Sequence, residues 1–186
     1  MDGAGARGTG QEAELALFDV EELPTHGGSL RIFARHAENA ALPVGERVGA
    51  LRQREIDAGF QTTERYRGFD EQVKRTKRKL LAFLIDARQR GKKVVGYGAP
   101  GKGNTLLNYC GIRTDFLDFT VDANPYKQGK FTPGTRIPIL APEAIREARP
   151  DYVLILPWNL KDEISRAAAY IGEWGGRFVV PIPEVE

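Results

Sequence analysis

Cysteine, histidine and long apolar runs are what this chain has least of, and each shortage closes off a class of function. Cys110 is the single cysteine among 186 residues, which excludes an internal disulfide and a cysteine cluster for structural zinc. A reducing, cytoplasmic setting is therefore expected. His26 and His36 are the two histidines, too few for a histidine-rich catalytic metal site. No apolar stretch approaches the roughly 20 residues that span a bilayer. Residues 1–14, rich in Gly and Ala, lack the hydrophobic segment of a signal peptide and read as a flexible leader. Charge of one sign is also missing: 27 basic and 25 acidic side chains leave a net charge of +2, spread along the chain. Neither a nucleic-acid footprint nor a membrane partner is expected, and a small anionic ligand fits better.

What remains is ordinary globular material, 41% hydrophobic and 28% charged, long enough for one α/β domain with a real core. Residues 30–34 alternate in the manner of a strand, preceded by the turn Leu23-Pro24-Thr25-His26-Gly27-Gly28-Ser29. Residues 44–58 suggest a helix. The clearest helix covers 70–90, where Phe69, Val73, Leu80, Leu84 and Ala87 recur near the helical period and Gly91 follows as a C-cap. Its basic run, 74–79, reads as a solvated face.

Beyond Gly91 strands and helices alternate. Strands are expected at 93–97, 116–121, 137–140, 151–157 and 177–182, with helices at 104–109, 142–148 and 160–174. That alternation implies a Rossmann-like three-layer α/β domain with a mainly parallel sheet over 70–186. Residues 15–69, a short strand and one or two helices, read as a linking segment.

Between the first of these strands and its helix lies a glycine turn. Gly96, Gly98 and Gly101 match the G-x-G-x-x-G spacing, in which the first glycine permits the turn, the second admits a pyrophosphate and the third lets helix pack on strand. Amides at the new helix's N-terminus would face an anion. Ligands of open parallel sheets sit beyond the strands' carboxyl ends. Three segments there are polar: Lys102, Asn104 and Thr105; Asp122, Asn124, Tyr126, Lys127, Gln128 and Lys130; Pro157, Trp158, Asn159 and Lys161. Asp122, 24 positions after Gly98, could accept a ribose hydroxyl of NAD, S-adenosylmethionine or a nucleotide sugar, or could form an Asx turn with Asn124. Lys102 could neutralise a phosphate. Trp158 could stack on a base or cap the core, and core packing is the plainer reading. His26 could be a general base or a turn residue bonded to backbone. Cys110 reads as a buried structural thiol.

The run Gly96-Tyr97-Gly98-Ala99-Pro100-Gly101-Lys102-Gly103-Asn104-Thr105-Leu106-Leu107-Asn108-Tyr109-Cys110-Gly111 resembles the C-terminal domain of sugar C-methyltransferases. So do Asp122-Ala123-Asn124-Pro125-Tyr126-Lys127-Gln128-Gly129-Lys130 and Leu156-Pro157-Trp158-Asn159-Leu160-Lys161. Thr25-His26-Gly27-Gly28-Ser29 is similar to the loop joining that family's central and C-terminal domains. The likeness extends over about residues 15–186.

The resemblance implies an S-adenosylmethionine-dependent enzyme in which an enolate of a nucleotide-linked keto-deoxysugar attacks the sulfonium methyl. Complete members have a zinc-binding N-terminal domain, a central cofactor-binding domain, and a C-terminal domain that helps hold the nucleotide sugar. By that implication the substrate-binding residues are Gly96, Gly98, Gly101, Lys102, Asn104, Thr105, Asp122, Asn124, Tyr126, Lys127, Trp158 and Asn159, with His26 as the catalytic counterpart. The sequence holds no match to the zinc cysteines or the cofactor-binding domain. S-adenosylmethionine is therefore not expected to bind this chain alone, and methyl transfer is expected to need a separate methyltransferase domain or subunit. The alternative, an NAD(P)-binding oxidoreductase or nucleotide-binding regulatory module, rests on the glycine spacing and Asp122 and shows no clear catalytic Tyr-x-x-x-Lys or His/Asp pair to transfer a proton. A non-catalytic interaction domain is a third reading.

Overall fold

A computed structural model describes residues 14–183 and 185; the expected leader, but for Glu14, lies outside them. The chain divides into two units, residues 1–67 and 68–186.

The first unit is built on an antiparallel hairpin of β1 (Leu15–Leu23) and β2 (Ser29–His36). The stretch before the turn, which shows no clean alternation, is thus a nine-residue strand; a bulge between Leu17 and Asp19 breaks its period of two. The turn Thr25–Gly27 and the Gly28 that closes it carry positive φ at His26 (58°), Gly27 (89°) and Gly28 (121°). Ser29 braces it by donating its hydroxyl to the Thr25 carbonyl at 2.9 Å. Helix α1 (Glu46–Asp57) lies against β1, with Arg47 paired to Asp19 and Arg54 to Glu22.

Helix α2 (Thr63–Gln89) begins about two turns earlier than its apolar stripe suggests, because no proline interrupts the sequence and its first ten residues need no core. Phe69, expected at the head of the stripe, is 63% exposed; Leu80, Leu84 and Ala87 are the buried positions. The basic run is exposed or half-buried, and Lys74 and Arg78 pair with Asp70 and Glu71. Gly91 (φ 68°) ends the helix in a Schellman motif: its N–H donates to Arg88 and that of Lys92 to Ala87.

The second unit is a five-stranded parallel sheet ordered β5-β4-β3-β6-β7, formed by β3 (Val94–Tyr97), β4 (Thr120–Val121), β5 (Ile139–Leu140), β6 (Tyr152–Ile155) and β7 (Arg177–Val179). Alternate residues feed opposite layers. Val94, Leu154 and Val179 join the core under α2 and α3 (Gly101–Cys110). Val95 and Val153 join the opposite core with Ile145 of α4 (Ala144–Ala148) and Ile171, and Ile155 meets Ile164 of α5 (Lys161–Ala167). The three-layer, Rossmann-like architecture expected from the alternating pattern is present.

Several elements are shorter or differently ended than the pattern implies. The strand expected over 116–121 is two residues long, because Phe116 and Leu117 reach the core from a turn. The strands expected over 137–140 and 177–182 also shrink. The helix expected over 160–174 breaks at Ala168 (φ −110°) and continues as a 3-10 turn, Ala169–Trp174. Helix α3 starts at Gly101, three residues early.

Candidate functional site

Because β3 is flanked by β4 on one side and β6 on the other, the strand order reverses at its carboxyl end, where an open α/β sheet forms its ligand crevice. A crevice of about 280 Å³ lies there, walled by Tyr97, Gly98, Pro100, Asp122, Lys127, Pro157 and Glu163.

The turn that forms its floor is held from both neighbours. Gly98 sits at φ +85°, and its N–H donates to the Val121 carbonyl at 2.5 Å. The buried Thr120 hydroxyl donates to the Gly98 carbonyl at 2.8 Å. A Cβ on Gly98 would stand 2.6 Å from Pro157 Cδ, and one on Gly96 would stand 2.6 Å from Thr120 Oγ1. Both glycines are therefore required sterically, by the segment that follows β6 and by β4 respectively.

The third glycine of the motif does not play its expected packing role. A Cβ on Gly101 meets nothing within 4 Å, whereas one on Gly103 would lie 2.8 Å from Leu156 Cβ. Gly103, not singled out from the spacing, is the position that lets α3 approach β6. Gly101 instead opens the helix after Pro100. The N–H groups of Gly101, Lys102 and Gly103 donate to no acceptor among the described residues, the ordinary state of a helix's first turn, and they carry the positive end of its dipole.

Asp122 is committed to the protein. Its Oδ1 accepts from the Asn124 N–H at 2.9 Å, and its Oδ2 from the Ala99 N–H at 2.8 Å and from Lys127 Nζ at 2.9 Å. Burial pushes its pKa up, but these donors outweigh burial and hold it below the usual carboxylate value. Of its roughly four acceptor positions, three are used, so a two-pronged grasp of ribose hydroxyls is not available. The Asx turn with Asn124 is the arrangement observed. Lys127, read as a flexible cation, also donates to the Ala99 carbonyl at 3.1 Å and so bridges two loops. Gln128 Nε2 donates to the Asp122 carbonyl at 2.9 Å.

Lys102, Trp158 and Asn159, distant in sequence, come together. Lys102 Nζ donates to Asn159 Oδ1 and lies 5.1 Å from the centroid of the Trp158 ring. Trp158 itself is half-buried against the core, the plainer of its two readings. Asn104 is half-buried, and its Oδ1 is buried without a hydrogen-bond partner. Thr105 is exposed and donates to the Gly101 carbonyl at 3.2 Å. Asn124 is exposed and receives the Tyr126 N–H at 3.0 Å; Tyr126 is 82% exposed. His26 lies on the hairpin turn of the first unit, exposed, with no hydrogen bond to nearby backbone.

Thr120 and Glu163 were missed by sequence reading. Thr120 is named by what it touches across the sheet, and nothing in its local sequence distinguishes it. Burial pushes the Tyr97 phenol's pKa up, with Tyr170, Asp122 and Glu163 adding to the shift; burial also raises the Cys110 thiol. Among the described residues no group of His, Cys, Asp and Glu could hold a metal ion, and no helix is long and apolar enough to cross a membrane.

Comparison with known proteins bears on what this crevice serves. The chain is 39% identical over 170 residues, 91% of its length, to the C-methyltransferase NovU of Streptomyces niveus, and spans 40% of that relative. Among solved structures, UDP-D-quinovosamine 4-dehydrogenase from Vibrio fischeri matches 50% of this chain and 79% of that one at 24% identity, with a TM-score of 0.36, a likeness that carries no argument. Residues 24–183 match the family described as the C-methyltransferase C-terminal domain, and with the glycine turn, the Asp122 loop and the Trp158 segment all inside that span, the chain belongs to this family.

Proposed function

We propose that this chain holds the nucleotide-linked deoxysugar for an S-adenosylmethionine-dependent sugar C-methyltransferase and does not transfer methyl by itself. The observation that carries the reading is the open first turn of α3: three unpaired N–H groups follow a sterically fixed glycine turn, and Lys102 on the same helical turn carries an ammonium that meets Asn159 and Trp158. Such a turn suits the diphosphate of a sugar nucleotide. Binding through phosphate rather than ribose is consistent with Asp122 being spent inside the protein. Lys102 supplies charge, held in place by Asn159 and Trp158, while Gly98 keeps backbone and ligand in contact.

S-adenosylmethionine would supply the methyl group to an enolate of the sugar. The residues at the strand ends do not fit that cofactor, because the acid that would take its ribose is already occupied, so methyl-donor binding is assigned to a separate methyltransferase domain or subunit. His26 is the side chain of this chain assigned to proton transfer in the joined enzyme. The cytoplasm, where Cys110 stays a thiol, is the proposed location.

Calorimetric titration with a dTDP-deoxysugar, S-adenosylmethionine and NAD in parallel tests the reading. The sugar nucleotide should bind, the other two should not, and Lys102→Met should weaken binding about tenfold, equivalent to about 1.4 kcal/mol. Tight NAD binding without sugar-nucleotide binding would instead establish a dinucleotide module.

A further inference from the structure

At the end of the parallel sheet opposite the crevice, a second cavity of about 280 Å³ opens among Arg90, Lys92, Asp151, Tyr152, Gly175 and Arg177. No aliphatic side chain lines it, so an ionic ligand suits it better than an apolar one. Its three cations arrive from different places: Arg90 and Lys92 from the turn between α2 and β3, Arg177 from the first residue of β7. Arg177 pairs in register with Tyr152 of β6, which puts both side chains on the face that α2 covers, where the Tyr152 ring packs edge-on against Phe83 at 5.1 Å. The acid in the cavity is already committed. Asp151 Oδ1 accepts from Lys92 Nζ at 2.9 Å and its Oδ2 from the Lys93 N–H at 2.8 Å, and the two donors hold its carboxyl below the usual carboxylate value. Three cations against one carboxylate leave an excess of two positive charges on this one cavity, as many as the whole chain carries. Arg90 and Lys92 have a structural reason to be here, since cations after a helix's carboxyl end offset its dipole, and Arg90 also reaches Asp86 at 2.5 Å. Arg177 has none. Its backbone N–H donates to the Asp151 carbonyl at 2.9 Å, while its exposed guanidinium makes no hydrogen bond or ion pair among the described residues.

We propose that this cavity binds a diphosphate group, free or carried on a small molecule, with the Arg177 guanidinium as its principal grip. A guanidinium offers a planar fork of donors that matches phosphate oxygens in pairs. Arg90 and Lys92 add charge from the far wall, and the Tyr152 hydroxyl adds a neutral donor. The loop that carries Arg177 is held closely: a Cβ on Gly176 would stand 2.9 Å from the Ile171 carbonyl oxygen and 3.0 Å from that of Pro150, so the backbone before Arg177 has little room to shift. The site is separate from the crevice. Strands β3 and β6 are four residues long, about 13 Å, and one diphosphate cannot reach from their amino ends to their carboxyl ends. The inference stands apart from the reading of the crevice and adds a second anion site on the same sheet.

The test is calorimetric titration of the full 186-residue chain at low ionic strength, with inorganic diphosphate and dTDP as separate probes. Lys102→Met serves as the background, so that the first turn of α3 contributes least. On that background diphosphate should still bind, and adding Arg177→Gln should weaken it about tenfold or more. Arg177→Lys, which keeps the charge and loses the fork, should fall between the two. Because Arg177 is exposed and unpaired, Arg177→Gln should leave the urea midpoint unchanged. Arg113→Gln, at an exposed arginine outside the cavity, should leave binding unchanged. Binding of dTDP that Arg177→Gln weakens equally places the diphosphate on a nucleotide; binding of the inorganic ion alone restricts the site to the free ion. Failure of both probes to bind, binding indifferent to Arg177→Gln, or binding weakened as much by Arg113→Gln overturns the proposal. Titration with the dTDP-deoxysugar keeps the two readings apart: if a sugar nucleotide binds the unaltered chain no more tightly than Lys102→Met, the proposed function falls and the result at Arg177 stands.

Discussion

At the residue scale the glycines of the turn divide by what stands behind them. Gly98→Ala places a methyl in the Pro157 ring at a φ that L residues rarely adopt, so a loss of about 1–3 kcal/mol is expected, together with loss of sugar-nucleotide binding. Gly103→Ala forces α3 off β6 and should cost about 1–3 kcal/mol. Gly101→Ala meets open space and should be neutral or stabilising by up to about 1 kcal/mol. Urea denaturation of the three variants checks the series. Equal effects at 101 and 103 would restore the packing role to Gly101.

Asp122 provides a second test at this scale. Its carboxyl is held below the ordinary value in the folded chain, so the stabilisation it provides is complete above the unfolded-state pKa of about 3.9 and is lost as pH falls through the lower folded-state value. Asp122→Asn keeps one acceptor oxygen but turns an amide toward Ala99 N–H or Lys127, and should cost about 1–3 kcal/mol at pH 7. The gap between variant and unaltered protein should close as pH drops below 4. A pH-independent gap would mean that shape rather than charge is at stake.

At the element scale, β4 shows how little regular structure is needed to set a site. It is two residues long, yet it places the Thr120 hydroxyl on the Gly98 carbonyl and Asp122 under the turn. Thr120→Val keeps the shape and removes the donor, leaving a buried carbonyl unpaired; about 1–3 kcal/mol of stability should go. Unchanged stability would show that water replaces the hydroxyl. The ends of α2 and α3 were legible because Gly91 and Gly111 carry the same Schellman signal, Gly111 N–H donating to Asn108 and Ile112 N–H to Leu107. The strand expected over 116–121 was not legible, since Phe116, Leu117 and Phe119 are buried or half-buried whether the backbone is extended or turned. Apolar runs report burial, and only pairing distinguishes strand from turn.

At the scale of the whole molecule the two units differ in how much they bury. Val20 is the sole buried apolar side chain among the described residues of the first unit, while the second has cores on both faces of its sheet. Amide hydrogen exchange should therefore be at least tenfold faster through β1, β2 and α1 than through β3 and β6. Uniform protection would show that the hairpin is held as firmly as the sheet.

Local patterning in the chain was enough to determine the alternation of strands and helices after Gly91, the parallel sheet that follows from it, and the glycine turn after the first strand, because periodicity and backbone permissiveness are properties of short segments. Tertiary structure alone decided that Gly103 and not Gly101 seats α3, that Asp122 also accepts from the Ala99 N–H, and that Lys102 meets Asn159 and Trp158. Each of these depends on an atom contributed by a segment 20 or more positions away or by a neighbouring strand, and no spacing rule records the distance between atoms that only the closed sheet brings together.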